Sequence, residues 1–204
     1  MKAKQKWADH LTEKAKHDNY PARSVYKLME IQKKLSIMKK GSRVLDLGCA
    51  PGSWLIYSAQ TIGKQGDAFG IDLQKVTVPL PSNATALQGD IFDLDKFYPD
   101  TGTKYDVVLS DMAPATTGRK DIDAAKSFEL CEAALKVACE LLVEGGNFVC
   151  KIFQGSEFKQ FEHNVKSNFR QCTIFKPESC RKASKEIYII GKGKINLMSN
   201  DPNP

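Results

Sequence analysis

From about residue 43 onward the chain alternates strand-like with helix-like segments, an order that leaves a parallel sheet covered by helices as the fold class to expect. Arg43–Leu47 and Asp67–Asp72 read as strands on either side of a helix over residues 52–62, which makes a βαβ unit. Residues 85–88 read as a short third strand, Tyr105–Ser110 as a fourth and 146–152 as a fifth. Each contains β-branched or aromatic residues, as strands buried on both faces do. Between the fourth and fifth strands, residues 122–143 carry Phe128, Leu130, Cys131, Leu135, Ala138 and Leu142 at helical spacing, and Gly145–Gly146 reads as the stop. Residues 156–169 repeat the helical pattern. Two last strands, 171–175 and 186–191, are joined by a basic loop over 176–185. Ahead of this core, residues 23–35 read as an appended helix with Val25, Leu28, Ile31 and Leu35 on one side and Lys27 within it. The expectation is α/β: about seven strands, mostly parallel with one antiparallel, and helices on both faces.

The 204 residues, 42% of them hydrophobic, suffice for one sizeable core, so a single domain is expected. Its bounds read as a basic N-terminal extension over 1–22, the domain proper over 23–194 and a polar tail over 195–204, with the end of the tail expected to be disordered. Thirty Lys and Arg against 24 Asp and Glu give a net charge of +6, which favours a polyanionic partner. The first 19 residues lack an apolar signal-like core, and no apolar run approaches the ~18 residues of a membrane span. A soluble, cytoplasmic protein without membrane contact is expected, with a monomer favoured. The six cysteines are scattered outside C-x-x-C spacing, and the three histidines form no metal-ligand pattern. Reduced thiols and no metal centre are expected.

The segment Val44-Leu-Asp-Leu-Gly-Cys-Ala-Pro-Gly-Ser-Trp54 joins the first strand to its helix, where a glycine turn lets a ligand approach backbone amides at a helix N-terminus. It is not G-x-G-x-x-G, and no P-loop lysine follows, which disfavours a nicotinamide dehydrogenase and favours a nucleotide ligand without a phosphate clamp. Asp72 ends the second strand, from which a carboxylate can accept both hydroxyls of a ribose. Asp90 stands just past the third strand. Trp54 is expected to wall the same pocket. The D-L-G-x-A-P-G form resembles the S-adenosylmethionine loop of class I methyltransferases, which implies a Rossmann-like class I methyltransferase domain.

Chemistry gathers at the carboxyl ends of the strands. Asp111 follows the fourth strand and precedes a sharp turn at Pro114, at the edge where open α/β sheets bind ligands. Lys151 lies in the apolar strand Phe148-Val-Cys-Lys-Ile-Phe153, where an unpaired ammonium would cost several kcal/mol to bury, and Asp111 is the neighbouring candidate partner. Glu186 begins the last strand; if that strand runs antiparallel, its start meets the ends of the others.

Four separated pieces, Ser24-Val-Tyr-Lys27-Leu, Ser110-Asp111-Met-Ala-Pro, Val149-Cys-Lys151-Ile-Phe-Gln-Gly and Arg181-Lys-Ala-Ser-Lys-Glu186-Ile-Tyr, resemble in order the motifs of the FtsJ/RrmJ-type ribosomal RNA 2′-O-methyltransferases, over roughly residues 5–194. The resemblance implies a catalytic tetrad of Lys27, Asp111, Lys151 and Glu186. In it Lys151 is the proton acceptor, Asp111 orients it, and Lys27 with Glu186 positions the ribose. It implies S-adenosylmethionine contacts at Gly52, Trp54, Asp72, Asp90 and Asp111, and a uridine of 23S ribosomal RNA, free or in the large subunit, as substrate. Ser53 departs from the pattern, standing where a second glycine is common. The chemistry is consistent: a ribose hydroxyl is a poor nucleophile until its proton is removed, while a sulfonium carries a good neutral leaving group. Carboxylates near Lys151 favour the ammonium. A sulfonium about 6 Å away, at an effective dielectric of about 20, contributes roughly 2.8 kcal/mol the other way. Lys33, Lys34, Lys39 and Lys40, with Arg181, Lys182 and Lys185, are expected to flank the site and contact RNA phosphates. A tRNA anticodon-loop 2′-O-methyltransferase and a non-catalytic RNA-binding or ribosome-assembly protein on the same scaffold are the alternatives.

Overall fold

The computed structural model describes residues 2–93, 102–181 and 184–196, with side chains from residue 10 onward. Lys182 and the tail beyond residue 196 lie outside the described residues. The elements are α1 (Lys2–His17), α2 (Val25–Leu35), β1 (Arg43–Leu47), α3 (Ser53–Ile62), β2 (Asp67–Asp72), β3 (Ala84–Gln88), β4 (Tyr105–Ser110), α4 (Lys120–Leu141), β5 (Leu142–Phe153), α5 (Phe158–Asn168), β6 (Phe169–Phe175) and β7 (Glu186–Lys194). The seven strands form one sheet in the order β3-β2-β1-β4-β5-β7-β6. β7 pairs antiparallel with β5 and β6, and the remaining pairs are parallel, so one strand is reversed, as expected.

Side chains alternate between the two faces along each strand. Leu45, Leu47, Val108, Phe148, Cys150, Ile152 and Ile189 pack with Cys131, Ala134 and Leu135 of α4 and with Phe161 and Val165 of α5. Val44, Val107, Leu109, Val149 and Ile190 pack on the other face with Leu28 and Ile31 of α2 and with Trp54, Leu55 and Ala59 of α3. The same alternation assigns Asp46, Lys151, Glu186 and Tyr188 to the α2/α3 face. These four polar groups thus lie on the face covered by α2 and α3, opposite α4.

Several boundaries shift by a few residues from the sequence reading, and two features depart from it further. Residues 145–146 do not stop a helix: α4 ends at Leu141, Leu142 is already extended, and β5 begins there. Gly145, at φ 80°, falls where the β4–β5 register slips between Tyr105 and Val107, so the glycine serves an irregularity inside a strand. The mixed-charge N-terminus also contains the helix α1. Its last turn brings Ala15 into a small cluster with Val25 and Tyr26, bordered by Leu11, Tyr20 and Tyr57. No helix among the described residues is long and apolar enough to cross a membrane.

The segment leading into α2 is bonded to the start of α3. Ser53 Oγ accepts from the Ala22 amide at 2.7 Å and donates to the Ala22 carbonyl at 3.1 Å, while Trp54 Nε1 donates to the Ser24 carbonyl at 2.8 Å. At the other end of α2, Lys192 Nζ donates to the Leu35 carbonyl at 2.8 Å. The departure at Ser53 therefore carries a structural role that glycine could not fill. Ser53→Ala leaves an amide and a carbonyl without this partner, and a loss of about 1–3 kcal/mol in urea-unfolding stability is expected.

Candidate active site

A cavity of about 340 Å³ opens at the carboxyl edge of β1, β2, β3 and β4. Its wall includes Gly48, Asp72, Asp90 and Asp111, and among the described residues no Lys or Arg lines it. Asp72 is held by both oxygens, Oδ2 accepting from the Ala50 amide at 2.9 Å and Oδ1 from the Gln74 amide at 2.7 Å. Asp90 Oδ1 accepts from the Phe92 amide at 3.0 Å. Leu73 and Phe92 also line the cavity and are 66% and 64% exposed, a high exposure for large apolar side chains. Gly48 has a positive φ, and a Cβ there would collide with Met112, so this turn tolerates only glycine.

Gly52 and Trp54, expected at the cofactor, do not line this cavity. Gly52 stands at the N-cap of α3 with φ 112°, and a Cβ on it would come within 3.2 Å of Val76 and Val78. Trp54 is 3% exposed, its indole nitrogen engaged by Ser24 and its ring 5.9 Å from that of Tyr188. The tryptophan is a packing bridge between α2, α3 and β7.

Beside the cavity, Lys151 at the end of β5 lies 2.9 Å from Asp111 Oδ1 and also donates to the Asp111 carbonyl. Tyr188 donates to the same Asp111 oxygen at 2.6 Å. Lys27 of α2 pairs with Glu186 Oε2 at 3.1 Å, and its ammonium lies 6.0 Å above the Tyr188 ring. The four residues expected from the resemblance are therefore two ion pairs with Tyr188 between them. Register explains the meeting: β7 runs backward beside β5, with Lys151 opposite Tyr188 and Phe153 opposite Glu186. Burial alone would push the Asp111 carboxyl up, but Lys151, Lys27 and the Tyr188 hydroxyl together hold it below the usual carboxylate range. Burial likewise opposes the Lys27 ammonium, and Asp111 and Glu186 outweigh it, so its affinity for the proton is raised.

A model of the FtsJ-like methyltransferase family matches residues 20–194. The chain is 67% identical over 192 residues to a ribosomal RNA large subunit methyltransferase E of Desulforapulum autotrophicum, covering 94% of this chain and 95% of that one. It is 54% identical to the protein of the same name from Desulfosudis oleivorans, over 93% of this chain and 92% of the other. The chain belongs to the FtsJ-like methyltransferase family. Among solved structures, a Plasmodium falciparum protein described as a ribosomal RNA methyltransferase aligns with a TM-score of 0.72 and 29% identity, over 87% of this chain and all of that one. A fibrillarin of Aeropyrum pernix shares the fold at a TM-score of 0.58 and 18% identity, over 82% of this chain and 76% of the other.

The basic residues of this FtsJ-like chain are not all where the sequence reading expected them. Lys33 and Lys34 are exposed on α2, with Lys34 over the Phe175 ring at 4.8 Å, and Arg181 and Lys185 are exposed in the neighbouring loop. Lys39 and Lys40 precede β1, so they lie at the amino edge, where Lys40 packs near Gly63. They do not flank the site, because α2 runs from the carboxyl edge to the amino edge and delivers them to its far end.

Two residues of the site escaped the sequence reading. Tyr188 passes for an ordinary strand aromatic, though its place two residues after Glu186 puts both on one face. Asp46 is fully buried in β1, and neither carboxylate oxygen has a hydrogen-bond partner among the described residues. Burial, then the charges of Asp111 and Asp72, push its carboxyl well above the usual range. The unfolded chain therefore releases this proton as pH rises past about 4, while the folded chain keeps it, and folded stability falls with rising pH over that window. Asp46→Asn removes this contribution. The variant is expected to raise the thermal midpoint of the ligand-free protein more at pH 8 than at pH 5; an equal shift at both would place the Asp46 proton elsewhere.

Proposed function

We propose that this chain is an S-adenosylmethionine-dependent enzyme that methylates a ribose 2′-hydroxyl of RNA, a uridine in 23S ribosomal RNA. The observation that carries the reading is the pair of buried ion pairs, Lys151–Asp111 and Lys27–Glu186, set beside an anionic cavity. Two relatives named ribosomal RNA large subunit methyltransferase E match the chain nearly end to end, which supports the large-subunit substrate. The reading implies the cytoplasm, where ribosomal subunits are assembled in bacteria, and takes residues 23–194 as the methyltransferase domain.

The cavity fits the donor. Three carboxylates and, among the described residues, no lining Lys or Arg suit a cationic nucleoside. Exposed Leu73 and Phe92 provide apolar surface for an adenine, with Asp72 placed for the ribose hydroxyls and Asp90 beside them. S-adenosylmethionine bound there supplies a methyl group activated by its sulfonium.

The residues on the acceptor side do the rest. Lys151 Nζ is placed to take the proton from the 2′-hydroxyl as that oxygen accepts the methyl group, which the bound donor would supply while its sulfur would leave as a neutral thioether. Asp111, fixed by Tyr188, holds that nitrogen in place. Lys27 and Glu186 offer a donor and an acceptor to the ribose, and α2 above them excludes water.

Lys151→Ala is expected to lower the transfer rate by at least about a hundredfold while leaving donor affinity unchanged, measured by single-turnover transfer and calorimetry. Asp72→Ala is expected to weaken donor binding about ten- to a hundredfold before it affects transfer at saturating donor. The deciding assay supplies tritiated S-adenosylmethionine and large ribosomal subunits from a strain lacking this gene, then maps alkali-resistant dinucleotides. Label at one resistant position is the expected result. Label only on tRNA would favour an anticodon-loop enzyme, and RNA binding without transfer would favour a non-catalytic assembly protein.

A further inference from the structure

The loop over 176–185 joins β6 to β7 and leads directly into Glu186, so its conformation governs where that carboxylate stands. Ordering a loop costs conformational entropy, which specific contacts must offset. The helix α2 supplies two of them. Glu30 Oε2 accepts from the Glu178 amide at 2.6 Å, and its Oε1 accepts from the Ser179 amide at 2.9 Å. One turn earlier on the same helix, Lys27 pairs with Glu186 Oε2 at 3.1 Å. The helix therefore holds this segment near its start with a carboxylate and at its end with an ammonium.

Bonds within the loop carry the first hold to the second. The Cys180 amide donates to the Pro177 carbonyl at 3.1 Å, closing a turn whose two central amides are the ones Glu30 takes. Successive amides in a turn form a concavity suited to an anion, and an ionised acceptor bonds them more strongly than a neutral one. The same turn seats Cys180, 3% exposed, in the buried cluster that Leu28 and Ile31 of α2 also join. Beyond it, the Ser184 amide donates to the Arg181 carbonyl at 2.8 Å, and Lys176 Nζ donates to the Ser184 carbonyl at 2.9 Å. Ser184 Oγ then accepts from the Glu186 amide at 3.2 Å. A bonded path thus runs from the Glu30 carboxylate to the backbone of Glu186. Glu30 itself is half-buried and is not part of the wall of the donor cavity.

We infer that Glu30 is a positioning residue of the transfer reaction: by holding the first turn of the β6–β7 loop against α2, it sets the Glu186 carboxylate against Lys27 on the acceptor side of the site. This rests on the RNA 2′-O-methyltransferase reading and adds to it the contact that orders the loop from which Glu186 emerges. Without Glu30 the amides of Glu178 and Ser179 turn to water, and the Lys27–Glu186 pair forms over a wider range of positions. A misplacement of about 1 Å at a reacting centre is enough to cost up to about a hundredfold in rate.

The test uses the full chain with Glu30→Ala and Glu30→Gln, each made alone and together with Glu186→Gln. Single-turnover transfer to large ribosomal subunits is measured at saturating S-adenosylmethionine, donor affinity by calorimetry, and amide hydrogen exchange along the chain. Glu30→Ala is expected to slow transfer about ten- to a hundredfold, with donor affinity within about twofold of wild type. Glu30→Gln keeps one acceptor oxygen but turns an amino group toward the other amide, so its rate is expected to fall between the two. With Glu186→Gln already present, Glu30→Ala is expected to change the rate by less than about twofold, because a residue that acts through Glu186 has nothing left to act on. Exchange in Glu30→Ala is expected to quicken at Glu178, Ser179, Cys180, Ser184 and Glu186 while β4 and β5 stay protected. An unchanged transfer rate in Glu30→Ala would overturn the assignment. An equal loss with and without Glu186→Gln would make Glu30 a general support of the fold and overturn it too, as would quickened exchange confined to Glu178 and Ser179. Should Glu30→Ala fail to fold, Glu30→Gln carries the same cycle. Wild-type protein that binds subunits but transfers no methyl would sink the methyltransferase reading alone, and the exchange pattern would still decide whether Glu30 sets Glu186.

Discussion

The Lys151 ammonium sits at the end of a central strand, in a chain segment that is otherwise apolar, and it can stay there only if a carboxylate meets it. Asp111 does so with its side chain and its backbone carbonyl, and Tyr188 supports the same carboxylate from β7. Burying a charge in a sheet is costly, and breaking such a pair by removing one partner costs more than the pair itself contributes. The arrangement is therefore fixed to a narrow geometry: β4 must end where β5 ends, and the residue opposite Lys151 must bring a hydroxyl. Lys27 and Glu186 extend the chain of charges to the helix above.

That geometry depends on one reversed strand. Parallel strands all present their carboxyl ends at one edge, so a residue at the start of a strand reaches that edge only if its strand runs the other way. β7 does this between β5 and β6, and Glu186, its first residue, arrives beside the last residues of β5. The donor cavity belongs to β1–β4 and the acceptor groups to β5, β7 and α2, with Asp111 common to both. On the proposed reading, the two substrates are received on different halves of one sheet.

Much of this was legible because polar residues in apolar strands are conspicuous. Lys151 and Asp111 announce a buried pair, and Asp72 and Asp90 stand at strand ends where ligands bind. Glu186 was legible only on condition that its strand was reversed. Lys27 came from family resemblance, since a lysine within a helix does not say which neighbour it meets. Asp46 was hidden inside the loop motif that drew attention to its glycines, and Tyr188 resembled any strand aromatic. Gly145 was misread because a helix stop and a strand irregularity use the same residue for the same reason, a positive φ. Lys39 and Lys40 were misplaced because proximity in sequence to α2 does not reveal which end of the helix faces the site. The helix α1 has too little apolar character to be read from periodicity, and among its described side chains Leu11 and Ala15 meet the cluster beside α2.

Ser53 and Trp54 open the helix that follows the donor loop, and they hold the backbone that carries Arg23 and Lys27. No slack linker separates the two halves at that point. Motion that loosens the donor loop must also loosen the helix over the acceptor, and a ligand that stills the first has already met part of the ordering cost of the second. On the proposed reading, Ser53 and Trp54 tie the ordering of the donor loop to that of the helix over the acceptor groups.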